Sequence, residues 1–240
     1  MANKIKIDNA ILKRQARKNA IRKKTKKVLC RILIVCEGEK TEPSYFENFK
    51  KINNESFVYE VDCQGGGINT IAVVNKAIEL RDNASIPYDS VWAVFDKDDF
   101  PASSFNGAIF RAKANNINVA WSNEAFELWY LYHFNNRITA MSRSDYQKAI
   151  SEAVNRSGKW KSKIAYQYAK NDSRNYSIMT TYGDQDNAIQ WAQEQHLQYT
   201  DERYATHNPC STVYQLVTQL LNKDKKLIKQ VMDKIESASK

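Results

Sequence analysis

Residues Ile32-Leu33-Ile34-Val35-Cys36 form an unbroken apolar run that stops at Glu37-Gly38-Glu39, with Lys40-Thr41-Glu42-Pro43 directly behind it. No polar residue alternates through the run, so it suits a strand covered on both faces, as in a parallel sheet. In open α/β sheets ligands sit outside the carboxyl ends of the strands. Glu37 falls there, and Gly38 lets the backbone turn sharply behind it. Val91-Trp92-Ala93-Val94-Phe95 followed by Asp96-Lys97-Asp98-Asp99 repeats the form. Two buried strands that both end in carboxylates predict a cluster of acids on one edge of a sheet, and with it a site for a divalent metal.

The flanking pattern supports the sheet. Strands are expected at about 28–36, 57–63, 90–95 and 117–121, with helices between them. Pro43 suits a first helical turn, with Thr41 or Glu42 as its cap and Tyr45, Phe46 and Phe49 turned inward. Gly65-Gly66-Gly67 between the second strand and a helix from Ile68 to Leu80 is either a phosphate cradle or a tight turn. It lacks the lysine of a P-loop and the spacing of a dinucleotide fingerprint. Ser103 or Ser104 is expected to cap a helix to Asn115, and Ser122-Asn123 to cap a helix over 124–134. From about 142 the pattern turns helical, at 142–155, 160–171, 184–199, 211–222 and 224–237, with breaks at Gly158 and between Asn171 and Gly183. The division is therefore a basic N-terminal arm (1–27), helical over 8–27, an α/β domain (28–138) and a helical extension (139–240).

Charge adds a second constraint. Residues 1–31 hold 12 Lys and Arg against a single acid, Asp8, a net +11 out of the chain's +9, so the remainder carries −2. A near-neutral domain with a cationic arm is suited to nucleic acid, through phosphate charge; a solvated tail is the other reading. No apolar stretch approaches the roughly 18 residues that span a bilayer, and no secretory signal is visible, so a cytoplasmic protein with no membrane association is expected. Cys30, Cys36, Cys63 and Cys210 show neither zinc-ligand spacing nor a disulfide framework and read as buried thiols.

Asp96 and Asp98 lie two apart, so in extended geometry they point the same way, and Glu37 comes from another strand. Hard cations such as magnesium take a few carboxylates plus waters and substrate phosphates. In phosphodiester cleavage such a metal neutralises the phosphate and activates water, with Glu37 as general base or acid. Strand-end acids also serve as caps and turn formers, and Asp99 suits the turn into Phe100-Pro101. Other residues carry two readings each. Lys97 contacts phosphate or is solvated. His133 assists catalysis or packs. Phe126, Trp129, Tyr130 and Tyr132 are core or base-stacking platforms. Lys159-Trp160-Lys161-Ser162-Lys163 with Tyr166 and Tyr168 holds single-stranded nucleic acid or a protein partner. Asn208-Pro209-Cys210-Ser211-Thr212 brings a helix N-terminus to the active edge or is an ordinary capped start.

Four segments, Ile34 to Phe46, Phe95 to Phe100, Ser122 to Trp129 with His133-Phe134, and Asn208 to Thr212, together resemble the RloB-like family, over the chain from its basic N-terminus to about residue 220. The resemblance implies a Toprim-like (Rossmann-like) mostly parallel sheet flanked by helices. It implies a catalytic set of Glu37, Asp96, Asp98 and Glu127, with Glu37, Asp96 and Asp98 holding Mg2+ or Mn2+. It further implies a nuclease acting on DNA or RNA, tRNA included, in anti-phage defence (abortive infection), beside an ABC/SMC-like ATPase; a homo-oligomer is left open. The alternative is a non-catalytic nucleic-acid- or ATPase-binding regulatory subunit.

Overall fold

The structure, a computed structural model, describes residues 28–51, 57–65, 69–221 and 225–238. The helix expected at 8–27 and most of the glycine loop, Gly66 to Ile68, lie outside the described residues. Five strands form one sheet: β1 (Val28–Cys36), β2 (Phe57–Gly65), β3 (Ser90–Asp96), β4 (Asn118–Asn123) and β5 (Cys210–Ser211). Their order is β2-β1-β3-β4-β5. The first four run parallel and β5 joins β4 antiparallel. The fold is α/β and Rossmann-like.

Alternation along β1 explains why its sequence shows no polar face. Leu33 and Val35 enter one apolar cluster with Val91, Ala93 and Phe95, under helices α2 (Thr70–Asp82) and α3 (Ala102–Ala114). Ile32, Ile34 and Cys36 enter the other with Trp92 and Val94. That second cluster also takes in α1 (Thr41–Phe46) and α4 (Glu127–Tyr132), then α5 (Tyr146–Arg156), α6 (Asn175–Tyr182), α7 (Gln185–His196), α8 (Val213–Leu220) and α9 (Lys225–Ala238). The helical residues after 139 therefore share one core with the sheet. Cys30, Cys36 and Cys210 are buried in these interiors. No helix among the described residues is long and apolar enough to cross a membrane.

Several local expectations are corrected. No helix forms over 160–171. Tyr166 and Tyr168 are both buried while their neighbours are exposed, a period of two that belongs to an extended strap. The strap is tied to α5: Tyr166 N–H donates to Asn155 Oδ1 (2.8 Å), Asn155 Nδ2 returns a bond to the Tyr166 carbonyl (3.0 Å), and Tyr168 N–H donates to Ser151 Oγ (2.9 Å). The supposed break at 171–183 instead contains α6, which seats Ile178 and Met179 in the core. Cys210-Ser211 is strand β5 rather than the start of a helix.

Caps also differ. Helix α4 starts at Glu127 with no side-chain cap, because Ser122 Oγ is paired with Ser211 Oγ (3.0 Å) and Asn123 Nδ2 donates to the Ala205 carbonyl (3.0 Å). Neither Ser103 nor Ser104 caps α3, which is entered through Pro101. Helix α2 begins two residues later than expected and is capped by Asn69, whose Oδ1 accepts from Ala72 N–H (3.0 Å). The helix preceding Phe49 is α1, in which Thr41 and Glu42 are buried members rather than caps.

Candidate active site

The register brings the acids to one edge. Cys36 stands opposite Val94 on β3, and Asp96 opposite Ser122 on β4, so the chain leaves the sheet at Glu37 and Asp96 on the same side. Glu37 N–H donates to the Val94 carbonyl (2.9 Å), and Glu37 Oε2 accepts from Asp96 N–H (3.1 Å). One side chain thus fastens the end of β1 to the end of β3. Asp96 is buried, and its Oδ2 accepts from Phe126 N–H (3.0 Å), at the entry to α4. Glu127, the next residue, is also buried; its Oε1 accepts from the Tyr168 hydroxyl (3.0 Å).

A third buried acid, Glu42, joins Asp96 and Glu127 beside the half-buried Glu37. Glu42 lies on α1, its Oε2 has no hydrogen-bond partner, and a Cβ at Gly38 would collide with that oxygen. Glycine at 38 therefore leaves room for the Glu42 carboxylate, which a larger residue there would have to displace. A signal was present: Tyr45 and Phe46, three and four residues beyond Glu42, define the inward face of α1, and Glu42 shares it.

The electrostatics follow from this crowding. Burial pushes the Asp96 carboxyl well above its ordinary range, and Glu42, Glu127 and Glu37 add to the push while the Phe126 amide opposes it. Glu37 is raised to about 7, by burial first, against the Asp96 amide, with Glu42 and Asp98 adding and Arg143 subtracting. Glu42 is raised as well, mainly by burial, with Lys170 and Arg143 pulling it down and Glu127 pushing it up. Buried carboxylates that raise one another hold either protons or a cation.

Asp98 behaves differently, and its expected direction is corrected. Strand β3 ends at Asp96, Asp98 has φ 42°, and the alternation that would align the two aspartates does not continue. Asp98 N–H donates to the Glu124 carbonyl (3.1 Å), and its carboxylate is ion-paired with Arg143. Burial alone would raise this carboxyl, but the Arg143 guanidinium outweighs it and holds it below the usual range. Asp98 nonetheless stays close enough to act on Glu37.

The remaining candidates sort as follows. Lys97 Nζ donates to the carbonyls of Asp98 (3.2 Å) and Phe100 (2.6 Å) and steadies the turn. Phe126, Trp129, Tyr130 and Tyr132 are fully buried and offer no stacking platform. Trp160 packs on Tyr166 and Tyr182, at ring separations of 5.3 and 5.0 Å. Ser211 and Thr212 are spent on β4, with Thr212 Oγ1 accepting from Trp121 N–H (2.9 Å). His133 is buried at the far end of α4, where it lines a separate cavity of about 650 Å³ with Arg137, Lys159 and Trp191.

Among the described residues, no group of three or more His, Cys, Asp or Glu stands in position to hold a metal ion. The donor chemistry still fits a hard cation. Every candidate ligand is a carboxylate oxygen, no imidazole or thiol joins them among the described residues, and the Glu42 oxygen lacks a partner there; magnesium uses few protein ligands and keeps its waters. Tyr168→Phe tests the support beneath the cluster. Removing the hydroxyl leaves a buried Glu127 oxygen unsatisfied, and thermal unfolding is expected to show a loss of about 1–3 kcal/mol.

The fold and site define a Rossmann-like α/β protein with a buried acidic edge at the carboxyl ends of its parallel strands. The family model for RloB-like proteins matches residues 32–220, from β1 through α8, and the chain belongs to that family. Comparison with curated proteins and with solved structures returned no match.

Proposed function

We propose that this protein is a metal-dependent nuclease, hydrolysing phosphodiester bonds of DNA or RNA at a Toprim-like site. The observation that carries the reading is the convergence of Glu37 and Asp96, from separate strands, on one buried edge with Glu42 and Glu127 around them. Asp96 and Glu37 would hold magnesium or manganese, with Asp98 joining as Arg143 is drawn to substrate phosphate. Bound there, the metal supplies charge neutralisation of the phosphate and activation of water. Asp96 N–H holds Glu37 Oε2 in place, leaving Oε1 to exchange a proton. With its proton affinity near neutrality, Glu37 suits general acid–base work. Glu127, held by Tyr168, shapes the field around Asp96. Resemblance within the family extends the proposal to a cytoplasmic effector of phage defence, abortive infection included, held or activated by an ABC/SMC-like ATPase.

The test is incubation with total cellular nucleic acid plus manganese, with and without the neighbouring ATPase, followed by sequencing of the cut ends. Glu37→Gln keeps an acceptor for Asp96 N–H, so the fold should survive while cleavage falls by about 10²–10⁴-fold. Full activity in both Glu37→Gln and Asp96→Asn would overturn the assignment. A second reading, a non-catalytic nucleic-acid- or ATPase-binding subunit, is favoured by the commitment of Asp98 to Arg143. Calorimetry showing no magnesium or manganese binding, with no cleavage of mixed DNA and RNA, would select it.

A further inference from the structure

A cleft of about 310 Å³ opens beside the acids, between the turn Gly38 to Glu42 and residues Lys170 and Asn171. Its volume is at the small end of ligand pockets. Lys170 belongs to the strap that replaces the expected helix, and its main chain is pinned. The Lys170 carbonyl accepts from Thr41 Oγ1 (3.2 Å) on α1 and from Asn175 Nδ2 (3.3 Å) on α6. Its side chain is not pinned: Lys170 is half-buried, and its ammonium has no hydrogen-bond or ion-pair partner among the described residues. The contrast with Arg143 is direct, since that guanidinium is already paired with Asp98. Lys170 is near enough to lower the proton affinity of both Glu42 and Asp98, yet forms a salt bridge with neither.

An uncommitted cation held by its backbone at the mouth of an acidic cluster is arranged for an anion that must approach those acids. A lysine ammonium is a compact point charge on a flexible stem, suited to phosphate without demanding one geometry. The carboxylates repel a phosphodiester, so a fixed positive charge beside them lowers the cost of seating one. We propose that this cleft is the phosphate-binding site for a nucleic-acid backbone, with the Lys170 ammonium on a phosphate next to the acidic edge. The ligand class rests on the nuclease reading, but binding can be measured without turnover.

The test uses the full chain carrying Asp96→Asn, so that nothing is cut, and a short single-stranded oligonucleotide in RNA and DNA forms, titrated over a range of salt. Lys170→Ala is expected to weaken binding about 5–10-fold at low salt and to reduce the slope of log Kd against log salt by about 0.7, the signature of one lost phosphate contact. Lys170→Met, which keeps the stem, should give the same change in slope, and Lys170→Arg should restore it. Lys113→Ala, an exposed lysine on α3 outside the cleft, should leave the slope unaltered. In the cleaving protein, Lys170→Ala should raise KM with kcat held within about threefold. An unchanged slope, an equal loss in Lys113→Ala, or no binding of either oligonucleotide overturns the proposal. A slope change in a protein that never cleaves keeps the phosphate site and removes the nuclease reading.

Discussion

Asp96→Asn is expected to do two opposite things: to reduce metal-dependent cleavage by at least about 10³-fold, about 4 kcal/mol of barrier, and to make the metal-free protein more stable. The first follows if Asp96 holds the metal. The second follows from its surroundings. The carboxyl is fully enclosed and crowded by Glu42, Glu127 and Glu37, and its single shown partner is the Phe126 amide, which an asparagine Oδ1 can also satisfy. Because the folded pKa lies above the unfolded one, the folded state binds more protons than the unfolded state between the two values. Stability from this group is therefore present in acid and lost as pH rises from about 4 toward the raised value. Asparagine has no such slope. Differential scanning calorimetry without metal should show the variant ahead by about 1–3 kcal/mol at pH 8, a few degrees in Tm, and level with the parent in acid. A variant less stable than the parent at both pH values would mean that the Asp96 charge is a structural necessity.

The same carboxylates show what could and could not be read in the sequence. Both strand ends were legible because Ile32 to Cys36 and Val91 to Phe95 are apolar without alternation, and the acids that end them had only one edge on which to fall. Glu37 and Asp96 meet as that argument requires. Asp98 departs from the side shared with Asp96 because extended backbone ends with the strand: the residue lies at positive φ and turns to Arg143. No rule of spacing links positions 98 and 143; that contact exists only because α5 and the turn before it pack over α4. Position at the start of an apolar helix makes Thr41 or Glu42 a cap by local rules, whereas Glu42 shares the buried face of Tyr45 and Phe46. The strap at 160–171 reads as helix by local rules because its charges and aromatics hide the alternation of two buried tyrosines. In each case a local preference was overridden by what packs across it.

The second large effect concerns His133, whose slope with pH is the reverse of that at Asp96. The ring is wholly buried, its Nδ1 lies 3.0 Å from the Trp129 carbonyl, and its pKa is lowered to about 4, by burial first, against hydrogen bonding to Trp129 and the nearby Asp184. With the folded value below the unfolded one, the unfolded chain binds more protons. The histidine's contribution is whole above about pH 6.5 and is lost as pH falls toward about 4, a swing of about 3 kcal/mol for a fully buried group. His133→Asn keeps a donor for the Trp129 carbonyl but leaves space, so it should cost about 1–2 kcal/mol at pH 7.5. It should then lose less than the parent on acidification, so that chemical denaturation curves at pH 7.5 and pH 4.5 bring the two proteins together. A parallel fall in both would show that the imidazole is not the acid-sensitive group. Between about pH 4 and 6.5 the two kinds of group therefore oppose each other in the metal-free protein, the histidine gaining stability with pH while the carboxylates lose it. A cation at the carboxylates should then lift the alkaline side alone, since His133 lies at the opposite end of α4, beside another cavity.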